Sequence, residues 1–141
     1  MLVKFKRGTI IDPLSLEINY MSKRILIFDD DQDILDILSL ILADSGYSVY
    51  ALDRGDNFFQ EVNDFHPDLI LMDVMLGNMD GRVICRHLKQ TNTTQHVPVI
   101  LISASHDLSQ SLKQEGAPND FIAKPFDLDF LLHKVESQLA A

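Results

Sequence analysis

Short, nearly continuous apolar runs punctuate this chain: "RILIF" (24–28), "LILM" (69–72), "VPVILI" (97–102) and the briefer "DFIA" (120–123). They lack the polar alternation of a half-solvated strand. Runs of this length suit strands buried on both faces, as in a parallel sheet covered by helices. "YSVYAL" (47–52) is more mixed and fits a place nearer an edge.

Helical patterns fill the gaps. Over 32–45, Ile34, Ile37, Leu38 and Ile41 follow the spacing of one helix face, and Gly46 supplies a stop. Residues 55–65 read as a helix with Phe58, Phe59 and Val62 inward, broken by Pro67. Over 80–90, Val83, Ile84, His87 and Leu88 form a stripe and Asp80 is a candidate N-cap. Residues 106–115 are more polar, anchored by Leu108 and Leu112. A last helix over 127–139 starts at Asp127 and buries Phe130, Leu131, Val135 and Leu139. Five strands and five helices in strict alternation, joined by right-handed crossovers, predict a doubly wound α/β sandwich.

Composition narrows the function. The 141 residues suffice for one core. With 12 Lys and Arg against 21 Asp and Glu, the net charge is -9, which argues against nucleic-acid binding. No apolar run approaches the roughly 18 residues of a membrane span. Cys85 is the single cysteine, so no internal disulfide forms, and a cytoplasmic setting is the default expectation. The histidines at 66, 87, 96, 106 and 133 show no metal-binding spacing.

In a doubly wound sheet, ligands bind beyond the carboxyl ends of the strands. Those ends carry Asp29, Asp30 and Asp31, then Asp73, then Ser103 and Ala104, then Lys124 and Pro125. Clustered carboxylates repel unless a cation shares the site. Mg²⁺ takes one or two carboxylates, keeps waters and leaves room for a phosphate. Lys124 and Ser103 suit phosphoryl oxygens, and a carboxylate beside the metal can act as nucleophile. Asp31 reads instead as a helix cap or a solvated side chain.

The stretches "ILIFDDD", "DLILMDVML" followed by "MDG", "VPVILISA" and "GAPNDFIAKPF" together resemble the receiver domain of bacterial two-component response regulators, over residues 23–139. The resemblance implies a flavodoxin-like fold with strand order 2-1-3-4-5. It implies that residues 21–141 are the receiver and 1–20 an extension. Asp73 would accept a phosphoryl group from a sensor histidine kinase or a histidine phosphotransfer protein. Asp30 would bind Mg²⁺ (or Mn²⁺), helped by Asp29, Asp73 and the Met75 carbonyl. Ser103, Ala104 and Lys124 would face the phosphate, and the Lys124–Pro125 bond would be cis. Phe121 holds the place of a switch aromatic, though it also reads as a plain core ring. By the same resemblance Met75 and Ser105 would flank the path of the attacking water; neither is acidic or amide-bearing, so slow loss of the phosphoryl group is expected. The output face, for a downstream protein target, would include Gln110, Lys113, Gln114, Phe121, His133 and Lys134.

The family usually carries Pro where this chain has Gly77, which suggests a more mobile loop after Asp73. Two rivals stand beside the switch reading. A Mg²⁺-dependent aspartyl-phosphate phosphatase or phosphotransferase would need a second Asp at the position of Met75. A pseudo-receiver would not need Asp30, Asp73, Ser103 and Lys124 intact. No output domain follows the last helix, which suggests a single-domain regulator or a receiver cut from a longer protein. In residues 1–20, "PLSLEINY" alternates as a strand does, "LVKFK" does so more weakly, and "RG" could turn between such strands. An added edge strand, an arm for a homodimer and a tail are the alternatives.

Overall fold

The five apolar runs are the strands of one sheet. In the computed structural model, which describes residues 3–4, 10–11, 22–104 and 114–140, they are β1 Arg24–Phe28, β2 Ser48–Leu52, β3 Leu69–Asp73, β4 Val99–Ser103 and β5 Asp120–Ala123. Their order is β2-β1-β3-β4-β5, with every neighbouring pair parallel. The mixed strand β2 lies at an edge, as its sequence suggests. Helices α1 Gln32–Asp44, α2 Phe58–Phe65, α3 Gly81–Lys89 and α4 Leu128–Ala140 flank the sheet. The helix expected over 106–115 lies outside the described residues apart from Gln114 and Glu115, which form a bend and a turn.

Successive strand residues point to opposite faces, so one sheet builds two cores. Leu26, Phe28, Ile70, Met72, Val99 and Leu101 pack with Phe58 and Val62 of α2 and Ile84, Cys85 and Leu88 of α3. Ile25, Ile27, Leu69, Leu71, Ile100 and Ile102 pack with Leu35, Leu38 and Leu42 of α1 and Leu131 and Val135 of α4. Burial of each such Leu or Ile stabilises the fold by about 1.5–3 kcal/mol relative to exposure. Cys85 sits here as a small packing residue; burial pushes its thiol up to about 11.

The helix faces differ in detail from the sequence pattern. In α1, Leu35, Leu38 and Leu42 are buried, while Ile37 stays 45% exposed. Apolar residues wrap most of this helix, so two overlapping stripes fit its periodicity, and contact with the sheet selects one. Phe59 turns outward and rests against the Phe58 ring at 5.3 Å and the His87 ring at 4.5 Å. Val83 and His87 are exposed, leaving Ile84, Cys85 and Leu88 as the inner face of α3. Phe130 is half exposed beneath the Lys134 ammonium, 5.0 Å from its ring centre.

The helix ends follow local chemistry. Asp31 Oδ1 accepts from the Asp33 and Ile34 N–H groups, Asp80 Oδ1 from Arg82 N–H, and Asp127 Oδ1 from Asp129 N–H. Past α1, Gly46 has φ +98, its N–H reaches Ala43 O and the Tyr47 N–H reaches Leu42 O. That pair of bonds is a Schellman stop.

Upstream, Val3–Lys4 pairs antiparallel with Ile10–Ile11. This agrees with a strand in 2–6, and the turn expected at 7–8 lies outside the described residues. The partner strand is nearer than "PLSLEINY", which lies outside the described residues.

Candidate functional site

The register of the sheet brings the strand ends together. Phe28 lies opposite both Leu52 and Met72, Asp73 opposite Ile102, and Ser103 opposite Ala123. The next residue of each strand therefore emerges at one edge: Asp29 after β1 and Lys124 after β5, beside Asp73 and Ser103. Backbone bonds fix these exits, with Asp29 N–H donating to Leu52 O, Val74 N–H to Ile102 O and Lys124 N–H to Ser103 O.

Carboxylate oxygens of Asp29, Asp30 and Asp73 lie within 4.8 Å of one another. Asp29 and Asp73 are buried and Asp30 is exposed. Lys124 Nζ sits 3.1 Å from Asp73 Oδ2 and 3.5 Å from Asp29 Oδ2. Asp29 Oδ1 accepts the Asp31 N–H, but its buried Oδ2 accepts no hydrogen bond. Burial raises the Asp29 pKa above 3.8, and the Asp73 and Asp30 charges add to this; the Asp31 N–H and Lys124 oppose it without prevailing. Burial alone would lower the Lys124 pKa, yet the Asp73 and Asp29 carboxylates outweigh it and hold the ammonium above its ordinary value.

A hard divalent cation fits this donor set. It would satisfy the orphaned Asp29 oxygen and neutralise three converging carboxylates. Asp31, the third of the acidic run, caps α1 and points elsewhere.

The segment after Asp73, where Gly77 takes the place of the family's usual Pro, has a defined backbone path. Met75–Leu76 and Met79–Asp80 form an antiparallel ribbon, with Met75 opposite Asp80 and Leu76 opposite Met79. Gly77 and Asn78 are its two-residue turn, and Gly77 has φ +64. The Met75 side chain is 69% exposed, and its N–H donates to Asp73 Oδ1 at 3.4 Å.

Ser103 is buried at the end of β4 and Ala104 is exposed. Ser105, Gln110 and Lys113 lie outside the described residues. Phe121 is partly buried against the core on the α2 and α3 side. Gln114 and His133 are exposed, whereas Lys134 is half buried and pairs with both Asp120 oxygens at 2.9 and 3.0 Å. The Lys124–Pro125 bond is cis.

Two residues that sequence reasoning passed over shape the site. Gly81 opens α3 and donates its N–H to Val74 O at 2.8 Å. A Cβ there would lie 2.2 Å from the Asp73 carbonyl oxygen. Gly55 makes room for Met79 of the ribbon, whose sulfur would lie 2.3 Å from an added Cβ. The signal for the first was present in "MDG": a glycine just inside a helix start has no capping role, so it marks a close approach.

Residues 25–136 match the response regulator receiver domain family. The chain belongs to that family. It is 32% identical over 117 residues to the DNA-binding dual master transcriptional regulator RpaA of Synechocystis sp., covering 82% of this chain and 48% of that protein. The chain thus spans about half the length of that curated relative. Among solved structures, the N-terminal domain of the nisin resistance regulator NsrR is 34% identical with a TM-score of 0.72, covering 83% of this chain and 97% of that one. A BeF3-activated receiver domain of DrrB is 32% identical with a TM-score of 0.72, covering 86% and 100%. Receiver domains are phosphorylation-activated signalling switches, and the chain is one of them. A receiver works between a phosphoryl-donating histidine protein and a downstream target. Among the described residues, no helix is long and apolar enough to cross a membrane.

Proposed function

We propose that Asp73 is the phosphoacceptor of this receiver. The observation that carries the reading is the meeting, at one sheet edge, of a buried carboxylate, two further carboxylates and a fixed ammonium 3.1 Å from Asp73. The donor is a phosphohistidine on a sensor kinase or phosphotransfer protein. A carboxylate oxygen of Asp73 attacks phosphorus, the phosphorus–nitrogen bond breaks, and the imidazole leaves with the electron pair. Asp29, Asp30, Asp73 and the Met75 carbonyl would hold Mg²⁺, or Mn²⁺ in its place, which supplies charge neutralisation to the phosphoryl oxygens. Lys124 pairs with the phosphate, while Ser103, with Ala104 beside it leaving access, donates a hydrogen bond.

The new charge on Asp73 biases the surface around β5 and α4, which a protein partner reads in a cytoplasmic setting. Phe121 is the candidate relay within that surface. Residues 21–141 carry the switch, and deletion of 1–20 is expected to leave phosphorylation intact while mass in solution reports any role in a homodimer.

Incubation with acetyl phosphate and Mg²⁺ tests the acceptor. The intact mass of the wild type should rise by one phosphoryl group, Asp73→Asn should stay unmodified, and a chelator should abolish the wild-type gain. Equal labelling of both proteins would refute the assignment.

A further inference from the structure

The turn at Gly77 does more than replace a stiffer residue. We propose that Gly77 is a positioning residue: its positive-φ turn closes the ribbon that fixes the Met75 carbonyl beside Asp73, and so sets the cation affinity of the carboxylate cluster. The inference rests on the reading of that carbonyl as a ligand.

Gly77 has φ +64, and the described non-glycine residues with positive φ do not include Asn78. Positive φ at the first central residue alone is the pattern of a type II′ turn, which matches the twist of a two-residue antiparallel ribbon. Nothing lies within 4 Å of a Cβ built at Gly77, so the demand there is conformational and not one of space. Proline, locked near φ -65°, cannot make this turn.

The two legs of the ribbon carry that demand to the site. One leg begins two residues past Asp73, where the Met75 N–H points to Asp73 Oδ1. The other ends at Asp80, opposite Met75, and Asp80 caps α3 through Arg82 N–H. Gly81 N–H then returns to Val74 O. Met79 occupies the space left by Gly55 and lies against Phe28 of the core face. Val74 is also tied to β4 through Ile102 O. The backbone at 73–75 is therefore held from β4 and from α3, and beyond Met75 the chain is held by the buried Leu76, by Met79 and by the turn that sets how the two legs meet. A turn forced to φ below zero would splay the legs and move the Met75 peptide while leaving the sheet intact.

The experiment is a Mg²⁺ titration of the full chain, followed by amide chemical shifts or calorimetry, on the wild type and Gly77→Asn, Gly77→Val and Gly77→Pro. Asn tolerates positive φ better than other non-glycine residues and should lose less affinity than a β-branched residue or Pro. Val and Pro are expected to lose about tenfold or more in affinity, the scale seen when groups that orient metal ligands are removed. Melting temperatures should change little. Labelling by acetyl phosphate in the Val and Pro variants should return toward the wild-type rate at saturating Mg²⁺, which simple structural damage would not allow. Equal affinities across folded variants would overturn the role of Gly77 and leave the metal site standing. A wild type that takes up no Mg²⁺ would overturn both. Should Gly77→Pro fail to fold, the Val and Asn pair decides, since both retain the backbone N–H.

Discussion

Replacement of Gly81 by alanine is expected to destabilise the domain by about 2 kcal/mol and to slow phosphorylation by about 100-fold. The added methyl carbon would lie 2.2 Å from the Asp73 carbonyl oxygen and 3.1 Å from both the Asp73 carbonyl carbon and Val74 Cα. All three neighbours are backbone, so no rotamer change relieves the clash. Overpacking of this kind costs about 1–3 kcal/mol. Alanine's better helix propensity returns at most about 1 kcal/mol, and less at the first helical turn. The strain can relax only by moving the start of α3 away from the Asp73–Val74 peptide. That loosens the Gly81 N–H to Val74 O bond and shifts the carboxylate against Lys124. A misplacement of about 1 Å costs a reaction about 10²-fold. For a chain of this size the melting temperature should fall by about 6 °C. Unchanged melting and an unchanged labelling rate with acetyl phosphate would show that the close approach is not required.

The architecture was legible because each level of the sequence agrees with the next. Continuous apolar runs such as "LILM" have one stable setting, a strand buried on both faces, and the residue after each run then has to meet its neighbours at one edge. Asp29, Asp73, Ser103 and Lys124 could be placed from that reasoning alone. Helix faces were less legible. Ile34, Leu35, Ile37, Leu38, Leu40, Ile41 and Leu42 give α1 an apolar surface wider than a single stripe, so periodicity does not choose between Ile37 and Leu35. Phe59, Val83 and Phe130 have the apolar bulk of inward residues, yet each lies beside the buried stripe of its helix and remains substantially exposed. The ribbon after Asp73 was legible only in part. A Gly-Asn pair between Met75–Leu76 and Met79–Asp80 is a hairpin signal, but the segments on either side are too short for strand periodicity to reinforce it.

Substitution of Asp29 by asparagine is expected to stabilise the metal-free protein and weaken its hold on Mg²⁺, so that the order of stability inverts as the cation is added. Asp29 is buried, with Oδ2 accepting no hydrogen bond, and Asp73 and Asp30 add like charge to the same cluster. Its pKa is raised above 3.8 in the folded state. The sign follows from linkage: an acid whose folded pKa is raised contributes its stability below the unfolded value, and that contribution is lost as pH rises through the folded value. At neutral pH the charged form of Asp29 is therefore a cost. Asparagine keeps an oxygen for the Asp31 N–H and removes the charge. Relief of a functional site in this way commonly stabilises by about 1 kcal/mol, or about 3 °C in melting temperature. The advantage should shrink as pH is lowered through the raised pKa toward 3.8. Mg²⁺ reverses the ranking, because binding to the folded state at 100 times Kd adds about 2.7 kcal/mol, and the wild type binds more tightly. Thermal melts in chelator and in saturating Mg²⁺, across neutral to mildly acidic pH, read both effects at once. A metal-free Asp29→Asn protein that melts below the wild type would mean that Lys124 already compensates the buried carboxylate. In that case the cluster would be a settled ion pair and not a site held in wait for a cation.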